Sequence, residues 1–189
     1  TTQQLARFTA ALQGVPGPRS IANSAGLLGW PQTHADWVRP GLALYGASPI
    51  SGLPAAQLGL KPAMTVESRL IAVRTFEAGE TLGYGRHFTC PERMPVGVVA
   101  IGYADGLPRA VSSRAEVGIH GQRLPLAGRV SMDMITVDLR PLPHARVGST
   151  VQIWGPGLPA EHLAAAANTI VYELFCGLTQ RVRFQHRNP

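Results

Sequence analysis

The sequence predicts a mainly β protein in two parts: the last strand and helix units of a β/α barrel, then an antiparallel, barrel-like β domain. Three observations lead there. Residues 1–45 alternate strand-like and helix-like runs, the pattern of successive βα units. Residues 46–62 are rich in Gly, Pro, Ser and Ala and read as an interdomain connection. Beyond them, short β-rich runs recur between Gly or Pro turns, as in compact antiparallel barrels. We place the boundary inside the connection, giving domains of residues 1–57 and 58–189.

Each element has a local reason. Residues 1–13 carry Leu5, Phe8 and Leu12 at helical spacing, and Gly14-Val15-Pro16-Gly17-Pro18 stops the helix. A strand over about 19–23, a short helix over about 25–29 and a strand over about 36–39 follow, then an apolar run to Tyr45. In the second part, residues 65–75, 96–102, 116–120, 134–138 and 150–154 are the expected strands. Pro159 opens a helix with Glu161 in its first turn and an alanine run that ends near Asn168. Residues 169–178 fit either a helix or a strand, and 181–184 read as a final strand. There is no internal repeat.

Composition sets limits on function. The chain has 189 residues, 45% hydrophobic and 15% charged, in the range of ordinary globular proteins. No apolar run approaches the ~20 residues that span a bilayer, so no membrane partner is expected. Cys90 and Cys176 make no disulfide framework and fit a reducing, cytoplasmic setting, each as a small packed residue. The six histidines are scattered, and no metal site is expected. A net charge of +6 raises the question of nucleic acid. The arginines are dispersed, however, and the densest group, Arg181, Arg183 and Arg187, reads as a solvated terminal strand; no nucleic-acid partner is expected.

One motif points to an anion. In the segment from Trp37 to Gly46, a strand-like run ends in Arg39, then Pro40-Gly41, then an apolar run that can begin a helix. That order aims a guanidinium and the backbone N–H groups of Gly41 and Leu42 toward one place, which suits phosphate. Read on its own, it is equally a simple turn with Arg39 paired to Asp36. Ser24, after the short run 20–22, is a candidate helix N-cap. Tyr84 stands between Gly83 and Gly85, which leave its ring uncrowded; a tyrosine at a hairpin end fits as well.

Taken together, Asn23-Ser24-Ala25-Gly26, Arg39-Pro40-Gly41, Gly83-Tyr84-Gly85, Gly102-Tyr103-Ala104-Asp105-Gly106, Gly128-Arg129-Val130-Ser131-Met132-Asp133 and Val171-Tyr172-Glu173-Leu174 occur in an order that resembles the C-terminal half of alanine racemase. The resemblance covers about residues 20–184 and implies the end of a (β/α)8 barrel followed by the family's C-terminal β domain. It implies pyridoxal 5'-phosphate as cofactor, alanine as substrate, and a homodimer in which Tyr84 and Met132 complete the partner's site. Tyr84 would be the catalytic acid and base on one face of the substrate; its free pKa of ~10 calls for a nearby cation or imidazole. Arg39 would face the pyridine nitrogen. Ser24, Gly41, Leu42 and Tyr172 would hold the phosphate, although Tyr172 in an apolar stretch can equally be core. The backbone amide of Met132 would bind the substrate carboxylate, and Tyr103, Arg109, Arg129, Asp133 and Ile170 would line the access passage.

Lysine usage then becomes decisive. The cofactor aldehyde is held covalently by a lysine amine. The chain has a single lysine, Lys61, followed by Pro62 and remote in sequence from the phosphate motif. The resemblance places the cofactor lysine in the family's N-terminal half, so this chain is expected to be a portion of the enzyme, inactive alone. Two alternatives are a broad-specificity or serine racemase of the same family, and a free-standing β domain acting as a dimerisation or binding module.

Overall fold

The computed structural model describes residues 1–111 and 114–186; Arg187 of the C-terminal basic group lies outside them. The chain divides into two compact units, Thr1–Ala63 and Met64–Pro189.

The first unit opens with α1 (Thr2–Ala11), none of whose residues is buried. Two strands, β1 (Ser20–Asn23) and β2 (Trp37–Arg39), pair in parallel. Each runs straight into a helix, α2 (Ser24–Gly29) after β1 and α3 (Gly41–Leu44) after β2. These are two βα units, as expected, and parallel pairing puts both helix starts at the same edge of the pair. All three residues of β2 are exposed. The stretch expected to be a bare connection is folded against the end of α3. There the Ala63 N–H donates to the Tyr45 carbonyl at 3.1 Å, and a 3₁₀ turn spans Ala55–Leu58. Gly46, at φ +75°, permits this return, since a Cβ there would lie 1.8 Å from the Lys61 carbonyl oxygen.

The second unit is an antiparallel barrel. Its strands are β3 (Val66–Phe76), β4 (Thr81–Leu82), β5 (Phe88–Thr89), β6 (Met94–Val99), β7 (Glu116–Ile119), β8 (Gln122–Pro125), β9 (Ile135–Asp138) and β10 (Thr150–Trp154). Six of them form one sheet in the order β8-β7-β10-β3-β6-β9, every neighbouring pair antiparallel. The outer strands meet. Leu126, one residue past β8, bridges Val137 of β9, and the Ala127 N–H donates to the Thr136 carbonyl at 2.8 Å. Closure leaves no long open edge.

Alternating residues fill the interior: Leu70, Met94, Val96, Val117, Ile119, Leu124, Ile135, Val137 and Val151 are all buried. Each such side chain contributes roughly 1.5–3 kcal/mol relative to exposure. Two helices follow the barrel, α4 (Ala160–Ala166) and α5 (Val171–Gly177). Phe175 of α5 packs on Trp154 with ring centroids 6.2 Å apart.

Several expectations change. The strand expected over 96–102 ends at Val99, because Gly102 starts a 3₁₀ turn instead, its N–H donating to Asp105 Oδ2 at 2.8 Å. The 169–178 run is resolved as the helix α5. The expected strand over 181–184 does not form: a backbone bond from Val182 N to Thr179 O at 3.1 Å closes a turn there. The β4–β5 pair forms the hairpin offered as the alternative setting of Tyr84, whereas the bounds of its two-residue strands, and β8, were not anticipated, since such short strands carry too little periodicity to see.

Candidate functional site

The site residues fall into two groups, one in each unit. In the first unit Ser24 is almost completely buried and sits at the first position of α2. It is not the cap. Asn23 takes that role, its Oδ1 accepting from the Gly26 N–H at 3.0 Å. The Ser24 hydroxyl oxygen accepts from the Ala43 N–H at 3.2 Å and so ties α2 to α3. Gly41 and Leu42 are the first two residues of α3, and the N–H groups of a first helical turn have no intrahelical acceptor. A Cβ on Gly41 would meet nothing within 4 Å, so the space beside it is open.

Arg39 closes the same edge. Its Nη1 donates to Ser20 Oγ at 2.6 Å and its Nη2 to the Ile21 carbonyl at 3.4 Å. The alternative pairing with Asp36 is not formed among the described residues; that carboxylate accepts from the Arg19 N–H at 2.7 Å. A hydroxyl, two free amides and a guanidinium therefore stand at the ends of two parallel strands, a donor-rich set that fits a phosphate. No carboxylate is bonded to the arginine among the described residues. A ring nitrogen facing it would be an acceptor, since guanidinium only donates. These residues fit pyridoxal phosphate. Lys61 is exposed, in the loop whose carbonyl faces Gly46.

In the second unit, Tyr84 is 78% exposed in a 3₁₀ turn between β4 and β5. Gly83 and Gly85, at φ +70° and +74°, set the turn; a Cβ on Gly85 would lie 2.9 Å from the His87 ring and 3.9 Å from Arg129 Nη1. An imidazole and a guanidinium thus flank the turn that carries the tyrosine. Arg109 and Arg129 line one cavity of about 420 Å³ with His87, Phe88 and Val111. Sequence reasoning missed His87; its place three residues after Tyr84 was the available signal.

Of the remaining residues, Tyr103, Met132 and Asp133 come together where the 102–105 turn meets the 131–133 loop. Tyr103 is 37% exposed; its N–H donates to the Ser131 carbonyl at 3.0 Å, and the Ala104 N–H donates to the Met132 carbonyl at 2.9 Å. Met132 and Asp133 sit exposed in that docked loop. Ile170 is the residue before α5 and Tyr172 its second residue, both exposed, whereas Val171 and Leu174 are buried. Tyr172 is therefore not core.

The ion pairs of Arg181 were also missed. This residue was expected in a solvated strand, and it pairs instead with Asp105 and Asp133. Among the described residues, no group of three or more His, Cys, Asp or Glu is placed to hold a metal ion. Nor is any helix there long and apolar enough to cross a membrane.

Comparison with known proteins agrees with this layout. The family described as "Alanine racemase, C-terminal domain" matches residues 63–186, and "Alanine racemase, N-terminal domain" matches residues 1–49. Among curated relatives, the alanine racemase of Halorhodospira halophila is 54% identical over 97% of this chain and 50% of its own length. That of Azoarcus sp. is 52% identical over 99% of this chain and 52% of its own. The crystal structure of biosynthetic alanine racemase from Pseudomonas aeruginosa superposes with a TM-score of 0.95 at 47% identity, covering 98% of this chain and 52% of that one. The alanine racemase from Bartonella henselae, solved with covalently bound pyridoxal phosphate, gives 0.84 at 35% identity, covering 95% and 50%. The chain spans about half the length of the relatives it matches. With that coverage and identity, the chain belongs to the alanine racemase family.

Proposed function

We propose that this chain supplies the phosphate-binding barrel end and the tyrosine-bearing domain of a pyridoxal-phosphate-dependent racemase that interconverts L- and D-alanine. The observation that carries the reading is Tyr84. It stands 78% exposed on a turn fixed by two left-handed glycines and makes no hydrogen bond among the described residues. A tyrosine held clear of its own unit is available to a site completed elsewhere, here the active site of the partner in a homodimer.

In this reading the Ser24 hydroxyl and the Gly41 and Leu42 amides hold the phosphate. Arg39 keeps the ring nitrogen an acceptor. When bound, the cofactor withdraws electrons from the substrate α-carbon. By donating and never accepting, Arg39 would leave that nitrogen unprotonated and so keep the withdrawal modest, a setting suited to proton exchange at the α-carbon. Tyr84 Oη takes or returns the α-proton on one face. The Met132 amide holds the alanine carboxylate. Tyr103, Arg109, Arg129, Asp133 and Ile170 line the way in. The cofactor lysine, acting on the opposite face, comes from outside this chain, since Lys61 is the single lysine and stands in an exposed loop.

The test is alanine racemisation with added pyridoxal phosphate, on this chain alone and mixed with a separately made N-terminal half of a relative. Activity is expected in the mixture only. Tyr84→Phe should lower it by about 10²-fold or more, the scale of a lost general acid–base. Racemisation by the chain alone would overturn the assignment of the lysine, and a silent mixture would count against the function itself.

A further inference from the structure

Three segments far apart in sequence meet at Asp105. The first is the 3₁₀ turn Tyr103–Asp105, whose own carboxylate accepts from the Gly102 N–H at 2.8 Å. The second is the loop at 131–133, held to that turn by the Tyr103 and Ala104 amides. Its approach is close enough that a Cβ on Gly102 would lie 2.3 Å from the Met132 carbonyl oxygen. The third is the tail after α5. Here the Thr179 N–H donates to the Asp105 carbonyl at 3.2 Å and the Thr179 hydroxyl to the Ala104 carbonyl at 2.8 Å.

Arg181 joins all three. Its Nη2 donates to Asp133 Oδ1 at 2.7 Å, and its Nε lies 3.4 Å from Asp105 Oδ1. A guanidinium fork can serve two carboxylates from one rigid plane, which a lysine ammonium on its flexible stem cannot match. Without it, two negative carboxylates would face one another across the junction. The hydrogen bond to Asp133 pushes the Arg181 guanidinium above its ordinary value, as a group holding anions should be.

We propose that Arg181 is a positioning residue for the substrate-carboxylate loop. It fixes Met132 and Asp133 against the Tyr103 turn and so sets where the Met132 amide stands. This rests on the racemase reading for what Met132 binds; the clamp itself rests on geometry alone. Arg181 touches neither substrate nor cofactor in this account.

Two readouts test it, using Arg181→Gln and Arg181→Lys. In the enzyme assembled from both halves, Arg181→Gln should raise the KM for alanine about tenfold while kcat changes little, because a displaced binding amide weakens carboxylate capture. Arg181→Lys should recover part of that loss. In this chain by itself, amide hydrogen exchange at Tyr103 and Ala104 should speed up about tenfold in Arg181→Gln, with β3 amides unchanged. Unchanged KM together with unchanged exchange at both amides would overturn the proposal. So would a uniform loss of protection that includes β3, since that is general destabilisation. Should the assembled wild type fail to racemise, the racemase reading falls, and the exchange result alone decides whether Arg181 clamps the loop.

Discussion

The two cysteines differ more than their sequence contexts suggest. Cys90 is buried beside Met94 and Leu82, and desolvation pushes its thiol above the ordinary value, with Glu80 adding to the shift. Cys176 is exposed, against the expectation that both would be packed. Thiolate is the reactive form. At pH 8, iodoacetamide should therefore modify Cys176 in the folded chain and reach Cys90 only after denaturant is added, as read by peptide mass spectrometry. Equal labelling of both in the native state would contradict the burial. Other residues show what can be read locally. Arg39-Pro40-Gly41 was legible because strand end, arginine and helix start are consecutive. The cap was misassigned by one residue because Asn23 and Ser24 are both good caps; the geometry at the end of β1 decides between them. Arg181 was illegible because Asp133 lies 48 residues away.

Among the elements, β10 and α5 share the most informative contact. Trp154 is fully buried against Phe175, yet its indole N–H has no hydrogen-bond partner among the described residues. An unpaired buried donor costs about 1–3 kcal/mol. Trp154→Phe removes that donor along with some volume, so the two effects offset and the net loss should stay near ~1 kcal/mol. Trp154→Ala should cost about 3–5 kcal/mol, with no such compensation for its cavity. Urea denaturation of the two variants checks this, and a Phe variant as damaged as the Ala variant would refute it. Long strands such as β3 and β10 announced themselves by β-branched, alternating residues. The β4–β5 hairpin that carries Tyr84 was suggested only by Gly83 and Gly85, because strands of two residues each leave no period to read.

On the scale of the whole chain, the two units differ in how fully they close. The second is a six-stranded barrel whose edge strands meet at Leu126 and Val137. The first has a two-stranded parallel sheet with β2 exposed throughout. Two strands are marginal in water without further strands or packing. In this chain by itself, amides of β1 and β2 should exchange about 10²-fold or more faster than those of β3 and β6. Comparable protection in both sheets would show that the short sheet needs no completion.

The sequence by itself determined the composition class, the βα-then-β division, the longer strands and the ordered motifs that carry the family resemblance. All of these are local, set by hydrophobic period and turn chemistry over a few residues. Only the tertiary structure decided the strand order β8-β7-β10-β3-β6-β9, the closure at Leu126, and the meeting of the 102–105 turn, the Met132 loop and Arg181. These join residues far apart along the chain. Their pairing is chosen by which side chains fill one interior together, a condition that no local period records.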